Sequence, residues 1–584
     1  MRMEFRTLRR VAVVGVVSVV GSLALAWPAH AQAPATSSAG PSGGRATGGP
    51  HNELLRTVLA EHDDENFDPP NQSALCQSFI GQPNPYRAPA PNVDQINGDS
   101  IVPVGSQAGC SSAQNETTIA VNPRNPRNIV AGSNDYRVFN SREQRNDSSG
   151  VAYTTFDGGR TWANVQLPHL TFQTGGTGAL SFMDSAGDPV IAFGPANTVY
   201  YGNIVFSRGA PAPGGTEGAS GIVVNVSHDG GLHWGEPVIL QLDGVDAAGN
   251  PTATRIFNDK IWLAGDPNSG RVYVTWTRFL DNPDGSFLEA PIVVAASRDF
   301  GRTFAPFTRV DSTLADFRPG GIAPFSQGSN PQVGRDGTLY IAYEGSQCGT
   351  LDCDQPTDRD VVVMATSHDH GATFHKTIVD TDFDFPPNED VGRSTLTGEN
   401  FRISSFPMLA YDPVFDQLYV TWVDDRNGRY TADGESIRTN GDNVVATSRG
   451  GSRWSRPVTV GTGQDEVFGA VAAFAGVVAV SSYTRHYDPS GINLDYAYWK
   501  SFGAAGLGHA AIHRITTQSE NPQVQFIGVG EQSGQELQGV FIGDYTGLAV
   551  GRDLRIHPCW TDFRGRPGLT APNQDAYTQS ISLL

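Results

Sequence analysis

The chain has 584 residues, of which 67 are glycine and 38 are proline, while 39% are hydrophobic and 17% are charged. Glycine and proline interrupt helices along the whole chain, which excludes a helical bundle, and the hydrophobic content excludes a disordered chain. The formal net charge of −20 argues against a nucleic acid as partner, because binding phosphates needs a basic surface. The remaining class is a large, turn-rich protein made mostly of β-strands.

The N-terminus has the pattern of an export signal. Several arginines precede an apolar run at residues 11–27, and Ala29-His30-Ala31 is a small-x-small cleavage site. We therefore expect residues 1–31 to be a signal peptide that is cleaved near Ala31. The mature protein would be secreted or periplasmic, with no transmembrane segment. The alternative interpretation of the apolar run is a membrane anchor.

Two further segments precede the main part of the chain. Residues 32–65 are predicted to be a flexible leader, because residues 32–50 are rich in Ala, Pro, Ser, Thr and Gly. Residues 66–111 are rich in proline and asparagine and are predicted to be an extended N-terminal wrap.

The five cysteines fit an oxidising compartment but are too few for a disulfide-dense scaffold. Cys348 and Cys353 lie in a turn-like stretch and are predicted to close a small loop. Cys76, Cys110 and Cys559 leave an odd thiol. No Cys-x-x-Cys spacing for a metal site occurs.

From residue 112 onward one unit recurs. Its first strand is an apolar run, its second ends in an aromatic residue followed by polar ones, its third is rich in valine and alanine, and its fourth begins with an aromatic residue. The first two strands are clearest at residues 116–137, 259–278 and 406–426, and weaker copies start near Asp188, Asn330, Gly469 and Asp544. Seven units that start roughly 60 to 75 residues apart are typical of a propeller or a solenoid.

A sharper motif lies between the third and fourth strands of the unit. Its first copy is Thr155-Phe-Asp-Gly-Gly-Arg-Thr-Trp162, and three more copies follow at intervals of 72, 70 and 70 residues. The aspartate is predicted to accept backbone hydrogen bonds within a tight turn, where glycine permits a positive φ. The four aspartates are therefore interpreted as structural braces: Asp157, Asp229, Asp299 and Asp369.

These copies match Ser/Thr-x-Asp-x-Gly-x-Thr-Trp/Phe, the Asp box or bacterial neuraminidase (BNR) repeat. Residues 112–584 therefore resemble the sialidase superfamily. The resemblance implies an all-β fold, a single β-propeller of four-stranded blades. The repeats favour seven blades, with six, the sialidase number, as the alternative. The last unit lacks a fourth strand, which we expect residues 101–104 or part of residues 74–80 to supply.

In sialidase-like propellers the site lies opposite the Asp boxes, where chains enter first strands and leave second strands. Here those positions are rich in charge, and arginines beside carboxylates suit an acidic sugar. The candidate substrate-binding residues are Arg137, Arg278, Arg426, Arg485 and Arg564. The candidate catalytic residues are Asp135, Glu344, Asp425, Tyr545 and Asp562. First-strand entries add Glu116, Asp188, Asp259, Lys260 and Asp544.

Two features weaken a direct transfer of the sialidase site. The family pattern uses a tyrosine activated by a glutamate, for which Tyr545 and Glu344 are the candidates, but no Arg-Ile-Pro motif occurs in the chain. The competing interpretation of the charged positions is a repeated set of internal salt bridges.

The sequence predicts a secreted glycoside hydrolase that acts on terminal acidic sugars of glycans. The alternatives are a non-catalytic propeller that binds glycan or protein, and a polysaccharide lyase, for which Arg485, His486 and Tyr487 are available. No cofactor is expected. The acidic residues within 380–384 could hold a structural Ca²⁺ ion or form a solvated loop.

Overall fold

The structure is a computed structural model that describes residues 54–55, 86, 88, 90–96, 113–388, 390–431, 436–530, 532–564 and 573–584. The described residues belong to one compact unit, Thr47–Leu584. The predicted signal peptide lies outside them, as do Cys76 and Cys110. Within the described part of the chain, no helix is long and apolar enough to cross a membrane.

Seven sheets of four antiparallel strands follow one another along the chain. In each sheet the first strand pairs with the second, the second with the third and the third with the fourth. The first strands of all seven sheets line one central channel. The fold is therefore a seven-bladed β-propeller, which confirms the predicted fold and excludes the six-bladed alternative.

The first four blades are continuous in sequence. Blade 1 contains Gln114–Val121, Ile129–Asn140, Arg145–Thr155 and Ala163–Gln166. Blade 2 contains Ser185–Phe193, Val199–Phe206, Ser220–Ser227 and Val238–Asp243. Blade 3 contains Ile256–Gly265, Val272–Asp281, Ile292–Ser297 and Thr308–Arg309, with Phe287–Glu289 added beside the second strand. Blade 4 contains Gly321–Val333, Leu339–Cys348, Arg359–Ser367 and His375–Thr381.

The remaining blades complete the ring. Blade 5 contains Met408–Asp412, Gln417–Asp424, Asp442–Ser448 and Val458–Val460. Blade 6 contains Glu466–Phe474, Val477–Thr484, Asp495–Phe502 and His513–Arg514. Blade 7 contains Gly547–Val550, Arg555–Asp562 and Asp575–Thr578, and Ile581–Ser582 also pairs with its second strand.

The fourth strand of blade 7 comes from the N-terminal part of the chain. Val93–Asp94 pairs antiparallel with Asp575–Thr578, with Val93 opposite Thr578. Both segments that we expected in this place, residues 101–104 and 74–80, lie outside the described residues. The ring is thus closed by an N-terminal strand that lies between the two expected segments in sequence.

Short elements lie in the connections between strands and between blades. Two-stranded hairpins are formed by Pro387–Asn388 with Arg393–Ser394, Arg429–Tyr430 with Ser436–Arg438, and Ile527–Val529 with Glu536–Gln538. The 3₁₀ helices are Phe172–Thr174, Gly178–Phe182 and Ala504–His509. Cys348 and Cys353 form a disulfide at the end of the second strand of blade 4, as predicted. Cys559 is a buried free thiol.

Blade strands are nearly continuous hydrophobic runs because each sheet is covered on both faces by its neighbours. Ile204 and Ile222 of blade 2, for example, share one buried cluster with Val274 and Trp276 of blade 3. The hydrophobic core therefore lies between blades, and polar side chains collect where strands begin and end.

The four Asp-box aspartates brace turns on one face of the propeller. Asp157 Oδ1 accepts the backbone N–H groups of Arg160 and Thr161 at 2.9 and 3.0 Å, and its Oδ2 accepts the Thr161 hydroxyl at 2.7 Å. Asp229, Asp299 and Asp369 accept equivalent backbone N–H groups. Each box follows a third strand, so the starts of the first strands lie on the opposite face.

Candidate active site

A bulge recurs in the first strands of five blades. The register shifts there by extra residues, and one residue of each bulge has a positive φ. A bulge re-aims the side chains beside it, and a positive φ is uncommon for residues other than glycine. The five residues and their φ angles are Glu116 (53°), Asp188 (51°), Lys260 (52°), Gly328 (63°) and Phe468 (55°).

Charged side chains from three of these bulges meet two further residues, Arg402 and Asp544, at the propeller axis. We call the group the axial cluster and define it as Glu116, Asp188, Asp259, Lys260, Arg402 and Asp544. The five side chains other than Arg402 belong to residues at most 9% exposed, and the Arg402 side chain is 14% exposed. Five of these six residues were identified in the sequence as positions where the chain enters a first strand. Arg402 was missed, because it lies in the connection before blade 5 and no strand pattern marks it.

Hydrogen bonds from blade to blade hold the axial cluster in place. The Lys260 backbone N–H donates to Asp188 Oδ2 at 2.9 Å. The Asp544 backbone N–H donates to Glu116 Oε1 at 3.2 Å, and Asn134 Nδ2 donates to Glu116 Oε2 at 2.9 Å. These carboxylates therefore link blades 1, 2, 3 and 7 as well as carrying charge.

Asp544 is the anionic centre of the cluster. Arg402 grips it with two parallel bonds, Nε to Oδ1 at 2.7 Å and Nη2 to Oδ2 at 2.6 Å, and Lys260 Nζ also donates to Oδ2. Burial opposes ionisation, but the charges of Arg402 and Lys260 outweigh it and hold the pKa of Asp544 well below its usual range. Asp544 is thus a carboxylate at neutral pH.

The other carboxyl groups of the cluster behave differently. Burial raises the pKa of Glu116 to about 7 despite the opposing charge of Lys260. Burial and the charge of Glu116 raise the pKa of Asp188 to about 7, and Glu116 and Asp188 hydrogen-bond to each other when one is protonated. Burial likewise raises the pKa of Asp259 to about 7. The cluster therefore holds protons that can be exchanged near neutral pH.

A channel of about 370 Å³ runs along the axis beyond the cluster. Its wall is mostly apolar and includes Val190, Trp262 and Ala470, and it reaches the turns on the Asp-box face. Tyr545 packs edge-on against Trp262, with ring centroids 5.1 Å apart, and donates its hydroxyl to the Pro189 carbonyl at 3.3 Å. Burial raises the pKa of Tyr545 well above its usual value, so its phenol stays protonated.

The five arginines that we predicted to bind substrate are each held by carboxylates. Three belong to a repeated Asp-x-Arg brace at the end of a second strand, in which the aspartate accepts both the backbone N–H and Nε of the arginine. These pairs are Asp135 with Arg137, Asp424 with Arg426 and Asp562 with Arg564. Arg278 lies 3.4 Å from Asp243, and Arg485 lies within 2.8 Å of both Glu399 and Asp465.

The remaining catalytic candidates lie apart from the axial cluster. Asp425 accepts the Asn440 backbone N–H at 2.6 Å and the Tyr430 hydroxyl, and burial raises its pKa to about 7. Asp135 also accepts the Tyr153 hydroxyl at 2.7 Å. Glu344 is buried beside Asp382 and Asp384. Of the predicted catalytic residues, Tyr545 is the one that adjoins the axis.

No protein-family model matches the sequence, and no curated protein is similar to it. Solved structures are similar at low identity. A protein of unknown function from Dyadobacter fermentans is 13% identical over 64% of this chain and 90% of its own, with a TM-score of 0.37. The NanB sialidase of Streptococcus pneumoniae is 10% identical over 78% of this chain and 83% of its own, with a TM-score of 0.39. An alpha-L-arabinanase of Penicillium chrysogenum is 14% identical over 67% of this chain and 92% of its own, and its TM-score is also 0.39. The strand pairing makes the chain a seven-bladed β-propeller, and at 10–14% identity it is no close match to these three proteins.

Proposed function

We propose that the protein is a secreted glycoside hydrolase that acts on terminal acidic sugars of glycans, with the axial cluster as its active site. The observation that carries the proposal is the pair of Glu116 and Asp188, two buried carboxyl groups at the axis whose pKa values are both raised to about 7. Glycoside hydrolysis uses two carboxyl groups, one that protonates the glycosidic oxygen and one that acts as base or nucleophile.

The hydrogen bonds assign a role to each member of the pair. Glu116 accepts N–H bonds on both oxygens, from Asp544 and Asn134, and such bonds favour the ionised form. Asp188 accepts one, from Lys260. We therefore assign Asp188 as the acid and Glu116 as the carboxylate that acts as base or nucleophile.

Two cations support an acidic substrate. Arg402 is more exposed than the buried Lys260, and although its Nε and Nη2 grip Asp544, its positive charge can attract a sugar carboxylate. Aromatic rings back both cations: Phe541 lies 4.8 Å from the Arg402 guanidinium and Phe406 lies 5.8 Å from Lys260 Nζ. Ligand pockets commonly combine such aromatic walls with a few fixed charges.

A non-catalytic propeller that binds glycan or protein is the second candidate. The observation that favours it is the pairing of all five predicted arginines with carboxylates of the fold. An open arginine triad for an acidic sugar would leave guanidinium groups free to meet the ligand.

The test is an assay of the mature protein, residues 32–584, against fluorogenic sialosides, uronides and oligosaccharides with acidic ends, with products identified by mass spectrometry. We expect release of a terminal acidic sugar, and at least a hundredfold slower release by Asp188→Asn. Asp352→Asn, in an exposed loop, is the matched control and should retain wild-type rates.

Each other outcome points elsewhere. Glycan binding without turnover would support the binding propeller, and an unsaturated product would indicate a lyase. Neither binding nor turnover on the whole panel would contradict a carbohydrate-active protein.

A further inference from the structure

Three buried carboxyl groups converge between blades 4 and 5, away from the axis. Glu344 comes from the second strand of blade 4, and Asp382 and Asp384 follow its fourth strand. One oxygen of each lies within 4.8 Å of the others. The residues are 2%, 0% and 6% exposed. Carboxylates this close and this buried repel one another unless protons or a cation neutralise them.

The segment that carries Asp382 is fixed by both blades. The Asp382 backbone N–H donates to the Asp360 carbonyl in blade 4 at 2.9 Å, and the Asp425 N–H donates to the Phe383 carbonyl at 2.7 Å. The Phe383 N–H donates to Asp382 Oδ1 at 2.9 Å. The three carboxyl groups are therefore held together by backbone that is already pinned.

One oxygen in this cluster has no partner. Asp382 Oδ2 is buried and makes no hydrogen bond within the described residues. A buried polar atom without a hydrogen bond costs desolvation free energy, and the cost is larger for a charged carboxylate oxygen than for a neutral atom. This oxygen is independent evidence for a ligand, since the acidic cluster alone would not require one.

The charges nearby increase the need for a cation. Asp424 and Asp360 add negative charge close to Asp382 and Asp384, whereas Arg426 supplies an opposing positive charge. Arg426 is already engaged by Asp424, with Nε 2.9 Å from Oδ1. The Arg426 guanidinium is therefore already paired within the Asp424–Arg426 brace.

The set of ligands fits calcium better than magnesium. Calcium takes six to eight oxygen ligands at about 2.3–2.6 Å, so two of its ligands can lie about 5 Å apart. Magnesium dehydrates reluctantly and usually keeps several waters, so it is seldom held by a cage of protein carboxylates. Three buried carboxyl groups whose oxygens lie within 4.8 Å of one another match calcium.

We propose that Glu344, Asp382 and Asp384 bind a calcium ion that joins blades 4 and 5. In this site Glu344 is a metal ligand, and the ion lies apart from the axial chemistry. The proposal is independent of the glycosidase proposal, because the expected effect is on calcium affinity and unfolding, with no substrate involved.

The test uses the mature protein, freed of divalent ions with EDTA and then titrated with CaCl₂ by isothermal titration calorimetry. We expect one binding event, and at least tenfold weaker binding by Asp382→Asn and by Glu344→Gln. Asp352→Asn, an exposed acidic residue of the same blade, should bind calcium as the wild type does. Magnesium at equal concentration should bind more weakly than calcium.

Thermal unfolding provides a second readout that does not depend on the variants binding metal. Calcium should raise the Tm of the wild type with concentration, since a ligand that binds only the folded state stabilises it. In EDTA, Asp382→Asn should unfold at or above the wild-type temperature, because one repelling carboxylate is removed. The proposal is overturned if calcium gives neither a heat of binding nor a shift in Tm with the wild type. It is also overturned if Asp382→Asn binds calcium as tightly as the wild type, or if this variant unfolds at a lower temperature than the wild type in EDTA.

Discussion

Glu116 holds a backbone conformation that glutamate rarely adopts. Its φ of 53° lies in the left-handed region, as do those of Asp188 and Lys260 in the next two blades. Each such residue costs roughly 1–2 kcal/mol in backbone free energy. The inter-blade hydrogen bonds of the axial cluster offset this cost. Strain of this kind concentrates at functional sites, which agrees with a site at the axis.

The arginines at the ends of the second strands have a different physical role. Alternate residues of a strand lie on the same face, so a carboxylate two residues before an arginine is its natural partner. Sequence inspection noted the adjacent Asp425 and Arg426, but the partner of Arg426 is Asp424. The Asp-x-Arg spacing was the signal that could have identified these ion pairs.

We predict that Arg564→Ala destabilises the fold. The Arg564 side chain is 2% exposed and lies 2.6 Å from Asp562 and 3.1 Å from Glu520, so its removal leaves two buried carboxylates without their cation. The free energy of unfolding should fall by about 3–5 kcal/mol, measured by urea denaturation. A variant that unfolds like the wild type but has a raised KM would instead make Arg564 a substrate-binding residue.

At the scale of elements, the Asp boxes show how a short motif fixes a turn. Partial burial raises the pKa of Asp157, but hydrogen bonds from Thr161 and its neighbours outweigh that effect and lower it to about 2. The same balance, with His233 as the main donor, lowers the pKa of Asp229 to about 2. The motif and its role in the turn could be predicted because every donor lies within four residues.

We predict that Asp157→Asn lowers the free energy of unfolding by about 1–2 kcal/mol at neutral pH, because the turn loses a charged acceptor. A carboxylate whose folded pKa is depressed stabilises the protein above its unfolded pKa, and that contribution is lost as the pH falls toward about 2. The difference between the variant and the wild type should therefore shrink on acidification from about pH 4 to pH 2. A difference that is independent of pH over this range would contradict the proposed role of the carboxylate.

At the scale of the whole molecule, the repeat in the sequence was enough to predict seven blades. The closing strand could not be identified, because Val93–Asp94 is two residues long and carries no periodic pattern. Arg402 and the partners of Asp382 also depend on how distant segments are brought together by the closed ring. The fold was therefore predictable from local patterns, whereas the composition of both charged clusters was not.

Ring closure can be tested at Ile96, which is fully buried and packs with residues of blades 1 and 7, including Ile119 and Ala576. We predict that Ile96→Ala lowers the free energy of unfolding by about 2–5 kcal/mol, through lost burial and the cavity that remains. Ile437→Ala, at a residue that is 53% exposed, is the control and should change it by less than about 0.5 kcal/mol. Equal effects of the two substitutions would show that the N-terminal segment does not close the ring.

The central claim, that Glu116 and Asp188 form a catalytic pair, is tested most directly by the pH dependence of kcat/KM for the wild type and Glu116→Gln. The acid must keep its proton, so wild-type kcat/KM should fall as the pH rises through about 7. Glu116→Gln should be slower by about 10²–10⁴-fold, and its residual activity should fall at a lower pH, because burial still raises the pKa of Asp188 but the charge of Glu116 no longer adds to it. A Glu116→Gln variant with nearly wild-type kcat/KM, or with an unchanged alkaline limb, would contradict the assignment of the axial cluster as the active site.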